Sequence, residues 1–489
     1  MRFAPLKVIF LLIMLVSLVV RINKVDFPLS FGFAWGDGTR DYLVANHILK
    51  YGEKPIFGPY NLLFESGIYS SPLYFYLLSL MLLPFNYILT LSVINIFLQL
   101  TSIVLIYLIA RKLFDTKTAL IASVFFSFNP AVFQQSDYMW QPNLMQPVAF
   151  LGLYFLIQRH LVSFFLIALA SAVHYCAFPW VFAFFLFCKK RKNYLWGLLI
   201  FIISFALFYS PILTLGFKGV DLKEEKMIIN SFGNYFINLF SNIKEFFGTF
   251  KPYQSLLIFL SVTCLIYFFK SKGLAKQKRL TFLLLILFLA PIFAASFFNK
   301  LRPHYLTLSL GAFSILSAKI FTSLTSNLKV YFRVALFVLV LVFLTANFAF
   351  RKQFKSPFSN YRLIDNMTSD IKNELVSIQT KEGFADFSFF QIYSIAVTKT
   401  PFYYQTLDTI LLVPLEDKLN QPLTKVLDSA YNHIQTGGKK YLLLACHKFI
   451  QSDPEACFKQ FTGANQNHQI IKTIYQSNSL DIFLAKNTL

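Results

Sequence analysis

Asp37-Gly38-Thr39-Arg40-Asp41 sets two carboxylates around a guanidinium just after the first apolar run of the chain. A carboxylate so placed is suited to general-base work, removing a proton from a hydroxyl or amine as it attacks. If a helix begins at Thr39, Asp37 lies just ahead of its first turn, facing the positive end of the dipole, and Asp41 sits about one turn further on. Asp37 and Asp41 are therefore the candidate catalytic carboxylates. The bland alternative is a pair of solvated loop carboxylates, one capping a helix and one paired with Arg40.

A second group is cationic. Arg302, His304 and Tyr305 follow a late apolar run, and Arg offers bidentate geometry to a phosphate at a bilayer surface. Here too an anchoring role at the interface competes. His174 occupies a tight turn between two short apolar runs, as a pocket residue or a hydrogen-bonded helix end. Asp137, Trp140, Gln141 and Asn143 could meet a sugar, through ring stacking and amide hydrogen bonds. Trp140 is equally suited to anchoring at a membrane interface.

The elements that must position these residues are almost all apolar. Of 489 residues, 56% are hydrophobic, 14% are charged and 60 are Phe, with mean hydropathy +0.56. Soluble chains hold about 25% charged residues, so the deficit points to a polytopic membrane protein. The net charge of +22 does not indicate nucleic acid, because Lys and Arg fall in short clusters between apolar runs, where they encode topology. Membrane lipids are the expected anionic contact.

Spans are expected near 5–21, 88–110, 116–131, 143–158, 161–174, 177–188, 193–213, 255–270, 280–298, 304–324 and 330–350, about eleven in all. Basic clusters sit at Arg111/Lys112/Lys117, Arg159/His160, Lys189–Lys192, Lys270–Arg279 and Lys319–Lys329. Placing each in the cytoplasm makes every span alternate, with the N-terminus inside and the C-terminus outside. Lacking a small-residue cleavage site, the first run reads as an uncleaved helix. Pro72–Phe85 is too short to span and reads as an interfacial or re-entrant helix of the long first external loop, 22–87. In that loop Arg40–Tyr51 reads as a membrane-surface helix ended by Gly52, with Leu43, Val44, His47, Ile48 and Tyr51 on one side.

From about 352 onward apolar runs shorten to strand length. Phe387–Val397, Ile410–Val413, Lys440–Ala445 and Ser479–Ala485 read as strands, with helices near 367–379 and 417–435. The expected organisation is a transmembrane domain over 1–351 and a small extracytoplasmic α/β domain over 352–489. Cys446 and Cys457 are disulfide candidates if that domain is outside the cell. Cys176, Cys188 and Cys264 read as packing residues.

Taken in order, these features resemble the integral-membrane C-type glycosyltransferases, the superfamily of protein O-mannosyltransferases and lipid A aminoarabinose transferases. Their bacterial and archaeal relatives carry an Asp-x-x-Arg-Asp pattern, met here by Asp37 to Asp41. A Gly-Pro element is met by Gly58-Pro59, and a small-residue-Pro-Leu-Tyr-x-Tyr element by Ser71-Pro72-Leu73-Tyr74-Phe75-Tyr76. Trp140-Gln141-Pro142-Asn143 stands where the family has Trp-Asn-Pro-Asn, and His304-Tyr305 matches its late His-Tyr. The resemblance covers about 1–350.

The resemblance implies a polyprenyl-phosphate sugar as donor partner, Asp37 as base and inversion at the anomeric carbon. The lipid phosphate would leave as an anion held by Arg302, His304 and Arg40. The acceptor stays unnamed. No cofactor follows from the residues; a divalent metal stays an alternative, because Asp37-Gly38 replaces the Asp-Glu pair of better-known members. Two other classes compete. A transporter or flippase should show repeated halves and ionisable groups inside spans. A membrane receptor or assembly factor would use 352–489 for binding.

Overall fold

The structure is a computed structural model and describes residues 4–22, 41, 44–45, 48–49, 52, 54–55, 58, 70–85, 88–129, 132–133, 139–187, 191–214, 236–237, 239–241, 275–296, 306–326 and 329, and five strands between 384 and 487. The described helices are α1 (Ala4–Ile22), α2 (Leu73–Leu82), α3 (Ile88–Leu113), α4 (Thr116–Ser127), α5 (Gln141–Ile157), α6 (Val162–Val173), α7 (Phe178–Phe187), α8 (Arg191–Thr214), α9 (Ala275–Ser296) and α10 (Thr307–Leu324). Each coincides with an apolar run expected from the sequence, α2 with the short one. The expected spans at 255–270 and 330–350 lie outside the described residues. By length and composition alone, two helical stretches suit a membrane crossing, Thr90–Leu113 and Asn193–Pro211.

The bundle has two distinguishable ends. At one, Arg111 and Lys112 close α3, and Asp115 caps α4 by accepting from the Thr118 N–H at 2.9 Å. The last turns of α10 meet it there: Thr118 and Thr322 share a hydroxyl hydrogen bond of 3.2 Å, and Lys319 lies over the Phe114 ring. At the opposite end Gln146 of α5 donates to the Thr307 carbonyl at the start of α10. So α5 and α10 run side by side in one direction, from the polar end to the basic end.

Between the ends the core is aromatic. Phe150 packs edge-on to Phe126, with centroids 5.6 Å apart, and lies 5.9 Å from Trp180. Trp180 donates its indole N–H to the Leu287 carbonyl at 2.9 Å, meeting the one polar requirement of a fully buried indole. Gly311 faces Phe150 because nothing larger fits: a Cβ there would stand 2.3 Å from Phe150 Cζ and 3.1 Å from Ile106 Cδ1. That contact brings α3, α5 and α10 together.

The C-terminal strands are β1 (Phe384–Asp386), β2 (Phe402–Tyr404), β3 (Tyr441–His447), β4 (His468–Gln476) and β5 (Leu480–Asn487), in the order β2-β1-β3-β5-β4. β1 pairs in parallel with β2 and β3, while β5 pairs antiparallel with β3 and β4. β3 and β5 fall on the expected 440–445 and 479–485 strands. The expectation had no strand over 468–476. Two register shifts, between Ile470 and Lys472 and between Thr473 and Tyr475, break the alternation by which a strand is recognised. The other expected strands and the two helices of this region, and Cys457, lie outside the described residues.

Candidate functional site

The described residues between α1 and α2 are built on the polar end of the bundle. Residues 41, 44, 45, 48 and 49 are helical; Asp41, Val44 and Ala45 are buried, and Ile48 and Leu49 partly so. This i, i+3, i+4, i+7, i+8 spacing is the inner face of an amphipathic helix. Gly52 ends it as the sequence suggests, with φ of 67° and its N–H on the Ile48 carbonyl at 3.1 Å, the left-handed stop that favours glycine. Asp41 is thus on the buried face and is not a solvated loop carboxylate. A carboxylate there costs several kcal/mol unless hydrogen-bonded.

The motif segments around Gly58 and Ser71 form one knot. The Gly58 N–H donates to the Ser70 carbonyl at 2.8 Å, and a Cβ on Gly58 would stand 2.0 Å from the Ser71 carbonyl oxygen. Tyr76 donates its hydroxyl to the Pro55 carbonyl at 3.1 Å; burial raises its phenol pKa and keeps it a donor. Ser71 donates Oγ to the Phe208 carbonyl of α8 at 2.7 Å. The site of attachment has a local cause. Pro211 inside α8 lacks the N–H that would bond Leu207 and loosens this last stretch. Ser210 Oγ takes over on the Leu207 carbonyl at 2.7 Å.

At α5, Trp140 is an extended N-cap residue, and Gln141 and Asn143 form the first turn, with the Asn143 N–H on the Trp140 carbonyl at 3.0 Å. Both amide side chains are buried, at the positive end of the helix dipole. Pro147 withholds from the Asn143 carbonyl its helical N–H. His174 caps the turn Tyr175–Ala177: its Nδ1 accepts from the Cys176 N–H at 3.3 Å, and its ring stacks on Tyr175 at 4.6 Å. That bond requires an unprotonated Nδ1, so the proton of the neutral ring sits on Nε2. Desolvation lowers the imidazole pKa to about 3, so His174 is a neutral hydrogen-bonding group. Burial also raises the Cys176 thiol, which is free.

Of the residues expected at the site, Asp41, Trp140, Gln141, Asn143 and His174 are described. Gln141 and Asn143 lie on the helix that Gln146 ties to the start of α10, and the His174 turn packs on α5, α6 and α9. Asp37, Arg40, Asp137, Arg302, His304 and Tyr305 lie outside the described residues. Among the described residues no three His, Cys, Asp or Glu side chains gather as metal ligands. The sequence reading passed over Arg21, Ser71 as an anchor, and the buried amides Asn95, Gln99 and Gln146. Asn95 and Gln99 had a signal, with Ser92 and Ser102, in polar residues every three or four positions along an apolar helix.

No protein-family model matches the chain, and no curated protein matches it. Solved structures do. The aminoarabinose transferase ArnT from Cupriavidus metallidurans, bound to undecaprenyl phosphate, superposes with a TM-score of 0.58 at 11% identity over 97% of both chains. Its apo state gives 0.59 at the same identity and coverage. The Archaeoglobus fulgidus oligosaccharyltransferase tethered to an acceptor peptide gives 0.53 at 14% identity, over 93% of this chain and 71% of that one. With its ten described helices and its C-terminal sheet, this chain has the fold of the integral-membrane C-type glycosyltransferases.

Proposed function

We propose that the chain is a membrane glycosyltransferase that moves a sugar from a polyprenyl-phosphate donor to an extracytoplasmic acceptor. The observation that carries this reading is the likeness to ArnT bound to undecaprenyl phosphate, which extends over 97% of both chains. In this reading the chain lies in the cell membrane with its N-terminus in the cytoplasm. Residues 1–351 form the catalytic unit and 352–489 an extracytoplasmic α/β domain.

The reaction is a single displacement with inversion. The Asp37 carboxylate takes the proton of an acceptor hydroxyl or amine, whose lone pair attacks the anomeric carbon. The bond from that carbon to the phosphate oxygen breaks, and the electron pair leaves with the lipid phosphate. Arg302, His304 and Arg40 hold this anion, so little acid assistance is required. Asp41 holds Arg40 or the acceptor from the buried face of its helix. His174, Asp137, Trp140, Gln141, Asn143 and Tyr305 line the pocket for sugar and acceptor. Should a divalent metal take part, the carboxylates of Asp37 and Asp41 are the oxygen ligands this reading offers.

Asp37→Ala is expected to lower transfer by about a hundredfold or more while leaving expression and membrane insertion intact. The assay is transfer from a panel of undecaprenyl-phosphate sugars in proteoliposomes. Full transfer by that variant would remove Asp37 from the mechanism.

A further inference from the structure

Arg21 closes α1 and is fully buried. Its Nη1 donates to the Ser17 carbonyl and to Ser127 Oγ, both at 3.3 Å, and its Nη2 donates to the Ser127 carbonyl at 3.0 Å. Ser17 and Ser127, buried as well, share a hydroxyl hydrogen bond. Ser127 is the last residue of α4, so the guanidinium meets the negative end of that helix's dipole. Its carbon also lies 5.7 Å from the Phe133 ring centroid, within range of a cation–π contact. Phe133 is held in turn by its N–H on the Asn129 carbonyl at 2.8 Å.

The placement of these contacts in the chain is what matters. The first external loop starts one residue after Arg21, and Asp37 follows in it. α4 ends at Ser127, and in the segment after it Phe133 stands four residues before Asp137. An apolar side chain of similar volume would fill such a site at lower desolvation cost. What only the planar fork supplies is two fixed donor directions at once. A lysine ammonium keeps the charge and loses that geometry.

We propose that Arg21 is a positioning residue that clamps the exit of α1 to the exit of α4 and so fixes where the loops bearing Asp37 and Asp137 begin. The clamp itself stands apart from the transfer reading; its consequence for catalysis rests on that reading. Arg21 touches neither donor nor acceptor. Its loss leaves the lipid-phosphate contacts in place and disturbs the relative placement of base and acceptor, on which rate depends steeply.

The test uses the full chain in lipid nanodiscs, with Arg21→Lys, Arg21→Gln and Ser127→Ala, and reads hydrogen exchange by peptide. Arg21→Lys is expected to speed exchange about fivefold in peptides over 23–40 and 134–138, with α3 and α5 unchanged; Ser127→Ala gives a smaller effect. With whichever undecaprenyl-phosphate sugar the parent turns over, Arg21→Lys lowers kcat about tenfold and leaves KM for the donor within about twofold. Oxidation of a Ser17→Cys/Ser127→Cys pair in the Arg21→Lys chain should restore loop protection and rate, because it replaces the clamp with a covalent one. Arg21→Gln removes both the charge and the fork and should speed the same exchange at least as much as Arg21→Lys. Unchanged loop exchange in Arg21→Lys, loosening spread over the whole bundle, or no restoration by the disulfide overturns the proposal. A parent that transfers no sugar sinks the transfer reading and leaves the exchange results to decide the clamp.

Discussion

Among the described residues α3 and α8 are the two helices long and apolar enough to cross a membrane, and they do opposite work. In α3, 56% of the most apolar window is buried, and one face carries Ser92, Asn95, Gln99 and Ser102, all buried. In α8 only 17% is buried, and Leu195, Trp196, Leu199, Ile202, Ile203 and Leu207 are exposed. Hydropathy does not separate them. What does is polar patterning: α3 places hydrogen-bonding groups at helical spacing toward its partners, and α8 keeps its outer face apolar until Pro211. Close to that proline, the Phe208 carbonyl of α8 accepts from Ser71 and ties the segment before α2 to the helix.

The contrast breaks most easily in the core that α3 shares. Phe150→Ala removes a fully buried ring beside Gly311 and is expected to cost about 3–5 kcal/mol. Ile203→Ala on α8, where the parent side chain is 57% exposed, should cost about 0.5 kcal/mol or less. Thermal unfolding in detergent reads both, and equal losses would erase the distinction between interior and outward-facing helices. Gly58→Ala tests the knot on α8. With backbone oxygen 2.0 Å from the added carbon, it is expected to cost about 1–3 kcal/mol, and an unchanged midpoint would show that the knot does not hold.

His174 adds a pH arm on the interior side. Its pKa is lowered from 6.5 to about 3, so the unfolded chain takes up the proton first as pH falls. The stability of the neutral ring is therefore complete above about pH 6.5 and declines from there toward pH 3, by about 1 kcal/mol at pH 5.5. His174→Gln should flatten that part of the profile relative to the parent, and parallel profiles would contradict the desolvated ring. Ser71→Ala leaves the Phe208 carbonyl without this donor and should cost about 1 kcal/mol. Because it acts only at the end of α8, loop exchange should rise with the bundle unchanged.

The helices were legible because each is an apolar run closed by charge or proline, and α2 because its run is too short to cross a membrane. Gly52 was legible as a stop through the local chemistry of the left-handed turn. The joining of motifs was not. Gly58 and Ser71 each appear as short elements, but nothing local says that one backbone packs on the other. Arg21 looks in sequence like any cation at the end of a span. Its burial depends on Ser127, 106 residues away, and no periodicity encodes that. β4 was missed for the opposite reason: two register shifts change its faces within nine residues.

Retention of lipid in native mass spectrometry tests the central claim most directly. The parent chain is predicted to keep undecaprenyl phosphate and to release undecaprenol, which lacks the charge. Arg302→Gln is predicted to lose that preference by about tenfold or more, as expected when a charge-assisted phosphate contact is removed. Equal retention of the two lipids by the parent would contradict a lipid-phosphate donor at this site.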